Sequence, residues 1–484
     1  MYNIQKFSIE NFKSFGPKEG LPLSKINFLF GPNSHGKSTA LSALYILGNN
    51  LLQRDFSLSK ISHIDNSPDI ILRDDLVNYK SGSDTFKISC ELLVDDTYTR
   101  NFGESNDELI LIPVFELEDM NSGKLKSFSV YEKFNGQEAL FLEITDDYVI
   151  FNYDSNYYLD SIRELNHDDK VIKEGTPKGK GIHKYEELPI NMSIPGIHLL
   201  SFFQRDNLPE EFKELEEDGI EISVTDLSRK KMEIILFLNK QIDNIFESFE
   251  LGWLNHHFGW VGPNRSVQNN SFTIGNEKGF IDDRFLTPDS VNAMNAWLRK
   301  TKSISLDYEF DLEVGITKAG LIKKEYGLKD LSTGKYLTLY EVGSGVAHIF
   351  QILLPFFSDI YGVIIQQPEI HLHPSLQVQL TKALIELSSE LEIWPKIIIE
   401  THSEHIIKTA QLEIAKNLNL EKPNFKKEDL SVLYISKDEK GYSKVKKMEL
   451  DETGAFTEPW PDDFFEISAD LSLERLRNSI KSRN

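Results

Sequence analysis

The run Gly31-Pro-Asn33-Ser-His-Gly36-Lys37-Ser38, followed by Thr39, fits the pattern GxxxxGK[ST]. It comes after the apolar segment 25–30 and before a segment, 38–52, with apolar residues at helical spacing (Leu41, Leu44, Tyr45, Leu47). Strand, glycine turn and helix in that order are the context in which such a turn cradles phosphate. Backbone N–H groups must converge on phosphate oxygens without a Cβ in the way, and the helix N-terminus adds partial positive charge. Lys37 then bridges the β- and γ-phosphates of ATP, and Ser38 sets its hydroxyl on Mg²⁺. The plain alternative is a chance glycine turn carrying a surface lysine.

Three more segments have chemical content. Glu341-Val-Gly343-Ser344-Gly345-Val346 leads into AHIFQILLPFF; the apolar run 362–365 ends in Gln366-Gln367-Pro368-Glu369, with His371 and His373 just beyond; and Ile398-Ile-Glu400-Thr401-His402-Ser403 closes another apolar run. Each has a bland reading as well: a Gly-Ser turn capping an amphipathic helix, or a core histidine at a strand end for His402. Glu369, His371 and His373 make a poor metal cluster, since both histidines fall on one side of a short extended run with no fourth ligand nearby.

A phosphate loop this near the start, preceded by IENFKSF and followed more than 300 residues later by these three segments in this order, resembles ABC-type ATPase heads of the RecF and SMC kind. The resemblance implies an α/β P-loop NTPase fold, an ABC-type ATPase head with a β-rich insertion and a small C-terminal cap. It also implies that Gly31, Asn33, Gly36, Lys37, Ser38 and Thr39 bind ATP. Gly343, Ser344 and Gly345 look like the signature motif, which meets the γ-phosphate of ATP bound on an opposite subunit. Residues 362–374 look like the Walker B strand and D-loop, and 398–403 like the switch-histidine strand, with His402 on the γ-phosphate. The C-terminal YISKDEKGYSKVKKMELDETGAF and PWPDDFFE are similar to the end of a family of small bacterial ATPases without coiled coils.

One departure from that pattern matters for chemistry. Relatives carry an acidic residue at the Mg²⁺-associated position, where this chain has Gln366, and many have a catalytic Glu at the next, where it has Gln367. An amide bears no charge and cannot act as general base. Slow hydrolysis, substitution by Glu369, or an acid-to-amide trapping change each account for it. The catalytic candidates are therefore Gln366, Gln367, Glu369 and His402, and the metal-side candidates Ser38 and Gln366. Arg265, in Gly262-Pro-Asn-Arg265, reads as a phosphate or partner contact or a structural salt bridge, and Gln204 as the candidate Q-loop glutamine.

The elements that must position these residues follow from pattern. Segments 2–10 and 25–30 read as strands. The runs 86–93, 108–115, 127–134, 139–144 and 148–153 alternate with polar turns and predict antiparallel strands. The polar, Gly/Pro-containing 166–184 predicts an exposed loop, and 225–251, with an apolar stripe, a helix packed on a core. Strand and helix alternate again after residue 300: a strand at 306–314, a helix at 347–357, a strand at 362–366, a helix at 374–391 and a strand at 396–400, with a last strand pair at 431–436 and 444–450. The domain reading is 1–65 and 261–425 for the two parts of the head, 66–260 for the insertion and 426–484 for the C-terminal strand pair and tail.

The chain has 484 residues, with 53 Lys+Arg against 76 Asp+Glu for a net charge of −23. Sequence-blind coating of nucleic acid needs a basic face and is excluded as its main activity. The isolated basic spots (Lys178/Lys180, 229–231, 444–447, and Arg475 to Arg483) leave room for a local DNA or RNA contact. A single cysteine, Cys90, and the lack of a leader or a long apolar run predict a cytoplasmic protein without membrane contact. Stand-alone heads resembling this one occur in bacterial anti-phage systems (Septu, PARIS and OLD-related). The resemblance implies an ATPase subunit that dimerises head to head on ATP and controls a separate effector, a nuclease or toxin. A RecF-like repair ATPase that clamps DNA and an ATP-bound, non-hydrolysing scaffold are the alternatives.

Overall fold

Ile26–Phe30 and Lys396–Glu400 are buried at every position, as strands covered on both faces must be. They lie at the centre of a sheet that gathers segments from the whole length of the chain. The computed structural model of the chain describes residues 2–50, 80, 85–94, 108–117, 123–134, 137–145, 148–154, 178–184, 257–263, 271–273, 284–318, 320–358, 360–390, 396–418 and 420–461. The helix expected over 225–251, Gln204, Arg265 and the basic spots at 229–231 and 475–483 lie outside the described residues.

The N-terminal strands are β1 (Tyr2–Glu10), β2 (Glu19–Pro22) and β3 (Ile26–Phe30), and α1 (Lys37–Asn50) follows β3. Next come β4 (Phe86–Val94), β5 (Glu108–Leu117), β6 (Gly123–Phe134), β7 (Gln137–Thr145), β8 (Tyr148–Asp154) and β9 (Lys178–Lys184). With β1 and β2 they form an eight-stranded sheet, ordered β2-β1-β4-β5-β6-β7-β8-β9 and antiparallel throughout. The antiparallel reading of 86–153 therefore holds. The loop expected over 166–184 is corrected in its last seven residues, which are β9, an edge strand paired with β8. Its Gly/Lys alternation imitates a loop, and lysines on an edge are also a means of blocking further pairing.

The second sheet runs β10 (His257–Val261), β15 (Ile360–Gln366), β16 (Lys396–Glu400), β3, β17 (Leu430–Lys437), β18 (Ser443–Lys447). All neighbours are parallel except the edge pair β17 and β18. The expected C-terminal strand pair thus continues the central sheet beyond β3. A third, smaller sheet pairs β13 (Ile322–Asp330) with β11 (Ser271–Thr273), β12 (Tyr308–Ile316) and β14 (Tyr336–Leu337). The strand expected at 306–314 is therefore one arm of a hairpin rather than part of a strand-helix alternation.

Four further helices pack on the parallel sheet and the hairpin: α2 (Pro288–Leu298), α3 (Ser344–Leu353), α4 (Pro374–Glu390) and α5 (Glu404–Asn417). The helix expected over 347–357 starts three residues earlier and tightens to a 3-10 turn over Leu354–Phe357, where Pro355 removes a helical donor. One apolar cluster joins Phe28 and Phe30 of β3, Val363 and Ile365 of β15, Ile397 and Ile399 of β16, and Phe310, Tyr326 and Phe350. Asn295 ties α2 to β12 by a reciprocal pair with the Phe310 backbone (2.7 and 3.1 Å).

Lys396 is the costly residue of this core. Burial pushes its ammonium down to about 7; the neighbouring Lys25 adds to the fall and Asp429 opposes it. The unfolded chain keeps this proton up to about 10.5, so stability rises with pH between the two values and is lowest where Lys396 is charged and buried. Lys396→Met is expected to stabilise the protein at pH 6 by about 1–3 kcal/mol, with the gain shrinking toward pH 10. Urea unfolding at both pH values checks this, and a gain independent of pH would contradict it.

Candidate nucleotide site

The carboxyl ends of parallel strands are where open α/β sheets bind ligands, and here three neighbouring strands end together. Register places Gln366 of β15 beside Glu400 of β16, and Glu400 beside Leu29 of β3, two residues before the glycine turn. The ends of β3, β15 and β16 thus meet at one edge.

The turn is held in a shape that only glycine permits at two points. Gly31 has φ +140° and Gly36 φ +109°. A Cβ at Gly31 would strike the Ile435 carbonyl of β17, and one at Gly36 would strike the hydroxyls of Ser443 and Ser14. Those two hydroxyls bond each other at 2.7 Å, and Ser443 also donates to the His35 carbonyl at 2.6 Å. The loop is braced from behind by β18 and by the turn after β1. Asn33 and Ser34 are exposed at its crest, where Ser34 also has positive φ (63°).

Lys37 is 4% exposed and donates to the carbonyls of Gly31 and Pro32, both at 2.9 Å. Burial lowers its pKa, and the charge of Glu400 works against that fall. Helix α1 makes its first backbone bond from Ala40 to Gly36 (2.9 Å), so Lys37, Ser38 and Thr39 carry its first-turn N–H donors, the groups a helix offers to an anion. The glycine-shaped turn, the buried ammonium and these donors together fit the triphosphate of ATP.

Ser38 donates to both oxygens of Glu400, at 3.2 and 3.0 Å. Gln366 donates its amide to the same carboxylate at 2.8 Å. Glu400 is 3% exposed and was not singled out in the sequence as a site residue. Gln367 (φ 45°) donates its backbone N–H to the Glu400 carbonyl at 2.7 Å. A serine hydroxyl, a carboxylate and an amide carbonyl are the hard oxygen donors that suit Mg²⁺, which takes one or two carboxylates together with phosphates and water. Among the described residues no group of three His, Cys, Asp or Glu is placed to hold a metal ion.

Glu369 engages the residues just after β16. Its carboxylate accepts from the Thr401 hydroxyl at 2.8 Å and from the His402 backbone N–H at 2.7 Å. It holds in place the turn that carries His402. Ser403 begins α5, its hydroxyl accepting from Ile406 and donating to Gln377 at 2.6 Å. Burial, then the charge of Lys37, lowers the His402 pKa, so the imidazole is neutral around neutral pH. A neutral ring near Lys37 has a donor or an acceptor to offer a phosphate according to its tautomer.

Gly343, Ser344 and Gly345 lie elsewhere on the surface. Gly343 is the N-cap of α3 and makes no side-chain cap, and Gly343 and Ser344 are exposed. Gly345 packs so closely on the turn after β15 that a Cβ would come within 2.9 Å of the His371 carbonyl. This puts the segment beside β15, which β16 separates from β3. The structure thus brings Gly31, Gly36, Lys37, Ser38, Gln366, Gln367, Glu369 and His402 to one strand edge and places the glycine-serine segment apart from the phosphate loop.

A family model described as AAA ATPase domain matches residues 1–407. No curated protein matches the chain. Solved structures that are similar include an SMC head bound to the C-winged helix domain of ScpA (13% identity, covering 93% of this chain and 98% of that one, TM-score 0.40). Another is the SMC head domain from Thermotoga maritima (11%, 93% and 100%, TM-score 0.38). A third is the Smc head domain with an extended coiled coil bound to the C-terminal domain of ScpA, from Pyrococcus furiosus (14%, 99% and 100%, TM-score 0.39).

Proposed function

The chain belongs to the AAA ATPase domain family and has the α/β fold of a P-loop ATPase head; from that premise we propose that it binds ATP with Mg²⁺ in the turn 31–39 and works as an ABC-type head that pairs with a second copy. The observation that carries this is the separation within one chain of a finished phosphate site from an exposed, uncapped α3 N-terminus. Each is half of a composite site. Gly343 and Ser344 of one copy supply backbone donors to the phosphates held by Lys37 of the other. ATP supplies the negative charge both halves need, and bound at the joint it favours the paired state by as much as its affinity for that state exceeds its affinity for the single head.

Turnover in this reading is slow. Gln366 and Gln367 carry no charge, and Glu369 is engaged with Thr401 and His402, so the strand end offers no free carboxylate at the usual place for a general base. That geometry also favours a second reading, an ATP-bound scaffold that fixes an oligomeric state. In both readings the acidic chain controls a separate effector protein in defence against phage, a step supported by the sequence resemblance and by a charge of −23 suited to a basic protein partner.

Ser344→Arg tests the pairing. An arginine at the open N-terminus of α3 is expected to abolish ATP-induced dimerisation, seen by light scattering after size exclusion, while ATP binding by the single head stays within about 2-fold of the parent, since Ser344 does not reach its own phosphate loop. In cells carrying the whole system, the same variant is expected to lose phage protection. Dimerisation by the variant equal to the parent's rules out the composite site.

A further inference from the structure

We propose that Glu400, at the end of the strand next to the Walker B strand, is the carboxylate through which this site engages the divalent cation beside Ser38, with Gln366 as the donor that positions it. The inference rests on the nucleotide reading above and adds the residue that carries the metal's counter-charge.

Position comes first. Gln366, where the resemblance led us to expect an acid, has no charge, and register pairs it directly with Glu400. The carboxylate thus stands on the neighbouring strand. The carboxylate is nearly closed off from solvent, at 3% exposure, yet both its oxygens lie within hydrogen-bond reach of the Ser38 hydroxyl, the protein group expected on the cation. The Gln366 amide donates to one of those oxygens at 2.8 Å, which fixes the rotamer and leaves the carboxylate charge in place. A second acid at 366 would set two carboxylates side by side with their like charges in contact.

The competing carboxylate is committed. Glu369 accepts from Thr401 and from the His402 backbone, one bond to each oxygen. Glu400 as a mere salt-bridge partner of Lys37 is the structural alternative, but the lysine directs its ammonium to the Gly31 and Pro32 carbonyls. A buried carboxylate facing a serine hydroxyl at a phosphate loop is a donor set for a hard cation whose remaining ligands are phosphate oxygens and water.

The test separates metal from nucleotide. ATP affinity is measured by calorimetry on the full chain, once in excess EDTA and once in Mg²⁺, and the ratio is the metal-dependent gain. Electron paramagnetic resonance of Mn²⁺ titrated with ATP reports the bound cation directly. For Glu400→Gln the EDTA affinity is expected to be equal to the parent's or tighter, because a negative charge near the phosphates has gone, while the gain falls at least 10-fold and the protein-bound Mn²⁺ signal is lost. Glu400→Asp, which keeps the charge on a shorter arm, is expected to lose several-fold of the gain and guards against a folding defect in the amide variant. Adding Gln366→Glu to Glu400→Gln returns the acid to the other strand and is expected to restore the gain. A full gain in either single variant overturns the assignment. Failure of the parent to bind ATP in EDTA and in Mg²⁺ alike overturns the nucleotide reading itself, a result plainly distinct from an unchanged gain.

Discussion

Lys37→Ala is expected to weaken ATP binding by about 100-fold, because a charge-assisted bond from a buried ammonium to phosphate contributes on the order of 3 kcal/mol. Lys37 is not a mobile surface cation in this chain. It is held under the loop by the carbonyls of Gly31 and Pro32, so it meets the phosphates already oriented and little ordering entropy is lost on binding. Burial already disfavours its charge, as the lowered pKa records; deleting it removes that cost at the same time as it frees two carbonyls. The unfolding midpoint of the variant should therefore move by no more than a few degrees. Calorimetry with ATP and a thermal scan check the two parts together. Parent-like ATP affinity in a folded variant would remove the phosphate loop from the function.

Gly31→Ala is expected to cost about 3–5 kcal/mol of stability, the largest effect of any single methyl group in the site. Two penalties add. The φ of +140° belongs to a region that side-chain-bearing residues scarcely populate, and the new Cβ would run into a backbone carbonyl, that of Ile435, which belongs to β17 and cannot rotate away as a side chain would. To accommodate it, β17 must part from β3, to which it is paired from Leu430 to Tyr434. Urea denaturation measures the loss. A change under about 1 kcal/mol would mean that the turn can adopt another shape, and the rigid cradle would have to be given up.

The phosphate loop and the edge it occupies were legible because their signal is local: a fixed spacing of glycines, lysine and serine between an apolar run and a helical one. The strands at 86–153 were legible for the same reason, alternation closing on itself through short turns. Lys178–Lys184 was not, since a Gly/Lys edge strand has no apolar face for alternation to reveal. Helix α2, helix α5 and strand β13 were also missed; β13 carries Lys323, Lys324, Lys329 and two acids, and its buried Lys324 is satisfied by the Leu286 carbonyl at 2.7 Å, a partner no local pattern announces. Glu400 is the instructive case at the site. Its residue type was in view beside His402, but what gives it a role is a register across three strands whose contacts to it, from Ser38 and Gln366, span 362 and 34 residues of chain. The amide at 366 pointed to a missing acid; only the sheet shows which acid stands next to it.

Ser443 has a consequence that belongs to biosynthesis. The loop at 31–38 leaves the ribosome well before its brace, since Ser443 of β18 comes 408 residues after His35, and β3 has no neighbour on that side until β17 has been made. A nascent chain therefore carries the complete phosphate-binding signature, while the residues between are made, without the strands that hold it in shape. Nucleotide binding would then depend on β17 and β18 being in place, and would double as a readout that segments so distant in the chain have found each other.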